Sequence, residues 1–288
     1  ATSRSIIPTA AGTYIYTITA TNAAGVVVTS TKQVVVESLP TFTGFNVNGA
    51  ASITVAPSTA LTFVGTGFST GATLQARNSA GSANATFPTT ASATAGTTIY
   101  YASATKTLNG VTNYSVLDSV SVTVVSAPTI TSITAPTPVF KGAAFTMSWV
   151  GANSTNYKIK SNNASSGITV SDIDLGTATS SSITPTAAGT YTYTITATNA
   201  AGVAVTSTKQ VIVEADPTVT SFTVNGVSTQ NVTPSAALTF AISGQSAGSV
   251  LVGRNSANTA NATLPTTASG SAGATTYYGA VSKTLNGV

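Results

Sequence analysis

Between Gly189 and Thr198 the chain reads GTYTYTITAT. Tyr191, Tyr193, Ile195 and Ala197 alternate with Thr190, Thr192, Thr194, Thr196 and Thr198. A period of two marks a strand with one face in a core and the other toward water or another chain. The turn Asn199-Ala200-Ala201-Gly202 offers residues that tolerate positive φ. The run VAVTSTKQVIVE after it alternates again through Val211 and Val213. Upstream, AFTMSWV (144–150) reads as a core strand and NYKIKS (156–161) as its partner. Helical spacing is found nowhere; short Val/Ile/Thr/Tyr runs are punctuated by Gly, Asn and Pro, the pattern of an all-β chain.

The same pattern returns at long range. Residues 1–111 recur without insertion or deletion as residues 178–288, at an offset of 177. Over residues 1–37 and 178–214 the copies differ at five positions: Arg4/Ser181, Ile7/Thr184, Ile15/Thr192, Val27/Ala204 and Val35/Ile212. Pro-Thr-x-Thr begins at Pro40, Pro128 and Pro217, which splits the period into two modules of nearly equal size. We therefore expect the C-terminal part of a type A module at 1–38, a type B module at 39–127, a type A module at 128–215, and a type B module at 216–288 that lacks its last strands. The expected architecture is a linear array of two-sheet sandwiches, a window on a longer run of A–B repeats. On this reading 39–127 folds alone, and 216–288 does not without the strands equivalent to 112–127.

The stretch AAGTYTY (187–193) resembles the strand F signature of immunoglobulin-like domains, with Gly189 at the small position and Tyr191 at the tyrosine-corner position. Tyr193 stands where vertebrate domains carry cysteine, and Ala187 where they carry aspartate. Trp149 falls on the strand expected to face this pair across the core. Gly12 and Tyr14 are the same positions in the first copy. The ending AGTYTYTITATNAAG is similar to that of bacterial immunoglobulin-like tandem modules of large surface proteins. That resemblance implies stalks or fibres at the cell surface or outside the cell, joined by self-association.

Composition narrows the chemistry. With no cysteine and no histidine, disulfides, thiolate metal sites and the commonest general base are excluded. Only 6% of residues are charged, against about 25% in ordinary domains. Asp172 and Asp174 make only two close carboxylates, short of the oxygen set a calcium ion takes. Ser207 with Lys209, and Ser30 with Lys32, lack any oxyanion loop nearby. The ten cations form no stripe of the kind that binds nucleic acid, and no apolar run is long enough to span a membrane. The chain reads as non-catalytic, without cofactor or metal. Its Thr-faced, charge-poor strands lack the edge lysines that block lateral packing. Among adjacent tyrosines, Tyr100-Tyr101 and Tyr277-Tyr278, one ring of each pair points in and one out. Tyr101 and Tyr278 are thus either amphipathic surface rings or sugar-stacking positions. The expected role is a structural repeat of a bacterial extracellular filament or stalk; the alternative is an adhesin array with carbohydrate-binding loops, whose partners are host or matrix glycans.

Overall fold

The computed structural model describes residues 3–285. It consists of two compact units, one running to Ser126 and the other starting at Ala127.

In the first unit, β1 (Gly12–Thr21) and β2 (Val27–Val36) form an antiparallel hairpin with a two-stranded sheet of their own. The B module follows: β3 (Gly44–Val47), β4 (Ser52–Val55), β5 (Phe63–Thr66), β6 (Thr73–Arg77), β7 (Gly96–Leu108), β8 (Val111–Tyr114) and β9 (Asp118–Val124). The pair β3–β5 makes one sheet; the other has the order β4-β9-β7-β6, with β8 attached to β7. Strand β4 runs parallel to β9, and the remaining pairs are antiparallel. Phe45, Val47, Leu61, Ala91, Ala102, Val120, Val122 and Val124 fill the core. The Phe63 ring stacks on Phe87 at 4.4 Å and meets Tyr100 edge-on at 5.0 Å. Tyr100 therefore points inward.

The second unit opens with the segment expected as an A module: β10 (Thr129–Thr134), β11 (Val139–Phe140), β12 (Phe145–Ala152), β13 (Asn156–Ser161), β14 (Ile173–Gly176), β15 (Ser180–Ile183), β16 (Gly189–Thr198) and β17 (Ala204–Glu214). Sheet orders are β10-β12-β15 and β11-β17-β16-β13-β14, with β11 parallel to β17. Two such sheets enclosing one core are an immunoglobulin-like β-sandwich. The core takes the alternating face of every strand: Phe145, Met147 and Trp149 from one sheet, Tyr157, Ile159, Tyr193, Ile195 and Val211 from the other. Tyr193, in the cysteine-like position, is fully buried, donates its hydroxyl to the Ser166 carbonyl at 2.8 Å and meets Phe145 edge-on.

One pairing differs from the sequence reading. NYKIKS does not pair with AFTMSWV. β13 pairs with β16 and β14, while β12 pairs with β10 and β15 in the opposite sheet. The alternation is the same for a hairpin and for a crossing between sheets, because both bury the same face; Trp149 and Tyr157 then meet across the core at 5.8 Å.

The unit continues through β18 (Ser221–Val224), β19 (Phe240–Ser243), β20 (Val250–Arg254) and β21 (Tyr278–Ser282), paired as β18–β19 and β20–β21. The aromatic arrangement of the first B module recurs in part: Phe240 is edge-on to Tyr277 at 5.0 Å and stacks on Phe222, while Leu264 stands in the place of Phe87. No counterpart of β9 is present among the described residues here. Phe222 and Val224 are half-buried, whereas their equivalents Phe45 and Val47 are 5% and 0% exposed. In the first copy β9 supplies three valines to the core, so this strand does much of the closing of a B sandwich.

The single tryptophan, Trp149, lies in the A core, so its fluorescence reports that module within the intact chain. Burial holds the Tyr193 hydroxyl above its ordinary pKa of 10.0. In the folded module it ionises later than in the unfolded chain, so its contribution is complete below about pH 10 and is lost as pH rises further. Denaturant melts followed by Trp149 emission should therefore show stability falling in alkali. Tyr193→Phe should flatten that fall; an unchanged slope would place the ionisation elsewhere.

Candidate functional site

The candidate structural residues lie at strand starts and in the A core. Tyr191 donates its hydroxyl to the Ala187 carbonyl four residues back, at 2.9 Å, and Tyr14 does the same to Ala10 at 2.8 Å. This is the geometry of a tyrosine corner. Gly12 and Gly189 open their strands at φ +157°, a conformation that L-residues rarely adopt, beside the corresponding tyrosine ring. Trp149 is 3% exposed. Tyr191 and Trp149 belong to the A core, whereas Gly12 and Tyr14 lie outside the core clusters.

The acidic candidates are already engaged. Asp174 accepts hydrogen bonds from the Asn156 amide and the Gly176 N–H, which together hold its carboxyl below the ordinary range. Asp172 pairs with Lys160 at 3.6 Å. Among the described residues no group of three or more His, Cys, Asp or Glu is placed to hold a metal ion, and no helix is long and apolar enough to cross a membrane.

Tyr101 does lie in a cleft. In the first B module a cavity of about 200 Å³ opens beside Arg77, Asn78, Thr86, Phe87, Ile99 and Tyr101. Arg77 and Tyr101 are directly opposed across the β6–β7 ladder, on the face away from the core. Arg77 is only 7% exposed. One terminal nitrogen donates to the Asn84 side-chain oxygen and the other to the Gly81 carbonyl, and the guanidinium lies 3.8 Å from the centre of the Tyr114 ring. Asn78 ties the same loop, accepting from the Ser82 and Ala83 N–H groups. The wall of the cleft is therefore a loop bound to a fixed cation, held by charge-assisted bonds and cation–π contact.

The second B copy repeats the clamp with one change. Arg254, opposite Tyr278, donates to the Asn261 side chain at 2.6 Å, to the Asn258 carbonyl at 2.5 Å and, through Nε, to the Asn258 side chain at 2.8 Å. Gly81 is the equivalent of Asn258, and without that side chain Arg77 Nε is buried with no acceptor. Both positions have positive φ, +67° and +59°, which Gly and Asn tolerate best. A side chain at Gly81 would come within 3.0 Å of Leu117, so the first copy has less room there.

The sequence reading singles out Tyr101 and Tyr278 but not Arg77 and Arg254; the signal available for them is an Asn seven residues after each Arg, Asn84 and Asn261.

No family model matches the chain, and no curated protein does. Similar solved structures include fibronectin(III)-like modules of Clostridium thermocellum CbhA, at 13% identity and TM-score 0.34, covering 60% of this chain and 95% of that one. A Ca²⁺-stabilized adhesin that helps an Antarctic bacterium reach out and bind ice aligns at 17% identity and TM-score 0.37, over 84% of this chain and 68% of the other. Immunoglobulin domains 1–5 of Sidekick-1 align at 11% identity and TM-score 0.37, over 85% and 55%. The fold assignment rests on the strand order and register described above.

Replacing Arg77 by Lys keeps the charge but removes the planar fork that reaches two acceptors. We expect a loss of about 1–3 kcal/mol in the first B module. Amide hydrogen exchange at Asn78 and Ala85 should speed up accordingly, while Trp149-reported melting of the A module stays unchanged.

Proposed function

We propose that the chain is a stretch of non-catalytic immunoglobulin-like modules from a bacterial extracellular surface protein that takes part in adhesion. On this reading A-type modules set the spacing and B-type modules present a saccharide-binding cleft. The observation that carries it is the cleft beside Tyr101, where an aromatic face sits next to a loop already locked by Arg77. A sugar ring stacks on such a face, and neighbouring amide and hydroxyl groups reach its hydroxyls at low ordering cost. Repetition along an array adds avidity to a weak single site.

A second reading, a pure spacer or filament, has its own support. At the A-to-B junction of each unit the same ion pair recurs: Lys106 with Glu37, and Lys283 with Glu214. Asp216 adds a bond to Lys141 at 3.2 Å in the second unit. Partly exposed pairs contribute little to stability, but they limit rotation at a joint. Cross-strand hydroxyl pairs such as Thr97–Thr123 and Thr107–Thr112, both at 2.9 Å, make a neutral surface suited to lateral self-association.

A glycan array probed with the intact chain separates the two. The adhesion reading expects saccharide binding that drops at least about tenfold when Tyr101 and Tyr278 are both changed to Ala, the scale of a lost stacking contact of ~1.4 kcal/mol or more. Binding to no glycan, with fibres visible by electron microscopy, would favour the spacer.

A further inference from the structure

The dipeptide Asn-Gly occurs at Asn48, Asn109, Asn225 and Asn286, and the first three of these lie among the described residues. Glycine carries no side chain to screen its backbone nitrogen. The carboxamide of an Asn that precedes it is therefore open to attack by its own main chain. All three described pairs have the conformation of a tight turn. The Asn φ angles are +49°, +46° and +48°, and those of the following Gly are +88°, +79° and +85°. All three Asn residues are exposed. Neither backbone shape nor access to water separates them.

Hydrogen bonding does. Asn48 donates its side-chain amide to the Ala60 carbonyl at 2.9 Å and accepts the Thr62 N–H at 2.7 Å, so both polar atoms of the carboxamide are held against the chain entering β5. Asn225 makes the same two bonds in the second B copy, to the Ala237 carbonyl at 3.1 Å and from the Thr239 N–H at 2.7 Å. Asn109 forms the turn between β7 and β8 with Gly110, and its side chain makes no hydrogen bond to any described residue. The Cγ of Asn48 or Asn225 can swing toward the next nitrogen only after both bonds break. That of Asn109 is limited only by its own rotamers.

We propose that Asn109 is a self-modification site, at which the chain converts its Asn-Gly turn to an aspartyl or isoaspartyl turn. The Gly110 nitrogen bonds to Asn109 Cγ and closes a cyclic imide. The Cγ–Nδ2 bond breaks, and the proton lost by Gly110 leaves with that nitrogen as ammonia. Water then opens the ring. Attack at Cγ breaks its bond to the Gly110 nitrogen and leaves Asp; attack at the main-chain carbonyl leaves isoaspartate, with the backbone running through the side chain. Either product adds a carboxylate and lowers the net charge of +4 by one. Strand β8 leads from this turn to Tyr114, whose ring backs Arg77, so the altered turn belongs to the strand that completes the clamp. The assignment does not depend on saccharide binding, and either can fail alone.

The test incubates the intact chain in mildly alkaline buffer, where the Gly nitrogen loses its proton most readily, with and without urea. Peptide mass spectrometry follows Asp and isoaspartate at positions 48, 109 and 225. In the folded chain Asn109 should convert at least about tenfold faster than Asn48 or Asn225, the scale set by breaking two hydrogen bonds at the slower sites. In urea the three rates should converge, because the fold that ties Asn48 and Asn225 is gone. Equal rates at the three positions in the folded chain, faster conversion at Asn48 or Asn225, or a tenfold difference that persists in urea would overturn the proposal.

Discussion

The strands of the A module share one requirement: an apolar row on one side must be removed from water by an opposing sheet. Nothing else in the chain can substitute for that contact. With no cysteine there is no cross-link between sheets, and with 6% charged residues there is no network of ion pairs to hold them. Tyr193, Ile195, Met147 and Ile159, all fully buried, are where the two sheets of the A module meet. Tyr193 joins the layers by packing edge-on against Phe145 of the opposing sheet, and its hydroxyl bonds to the Ser166 carbonyl in the β13–β14 connection of its own sheet. The same residues in the β1–β2 hairpin keep the register and the corner bond of β16–β17.

Surface chemistry follows from the same economy of charge. Hydroxyl pairs link neighbouring strands on the outer faces, and the few charged side chains are divided between strands, as at Lys32, Lys158, Lys160 and Lys209, and the junctions and loops. The repeated Lys–Glu contact marks each A-to-B junction. Arg77 and Arg254 mark the long loop of each B module, where one guanidinium gathers the acceptors that a loop without secondary structure cannot pair internally. A cleft walled by such a loop is preorganised, which separates it from the mobile surface grooves of most loops.

Duplication makes the molecule its own control. Where the two B copies differ at Gly81 and Asn258, the hydrogen bonding of the arginine changes by one partner and its position in the ladder does not. Where the two A hairpins differ, the changes avoid the core. The buried residues of the A hairpin are unchanged, whereas drift between the B copies reaches buried positions, as at Ala102/Gly279 and Ala104/Val281.

Period-two alternation in GTYTYTITAT was enough to specify strands, the inward face and the hairpin that follows, because those depend only on neighbours two residues apart and on a local turn. The hydroxyl bonds of Tyr14 and Tyr191 to the carbonyls four residues back are local in the same way. A gapless repeat at an offset of 177 residues was likewise visible in the sequence. Tertiary structure alone decided which sheet each strand joins: β12 and β13 bury the same alternate positions whether they pair or cross the core, so periodicity could not separate the two. It also decided that Tyr101 borders a cleft and that Arg77 is a buried clamp, because both depend on Tyr114, Asn84 and Gly81. Those residues are brought together by the fold of a loop and a strand return, distances that no local pattern in the sequence encodes.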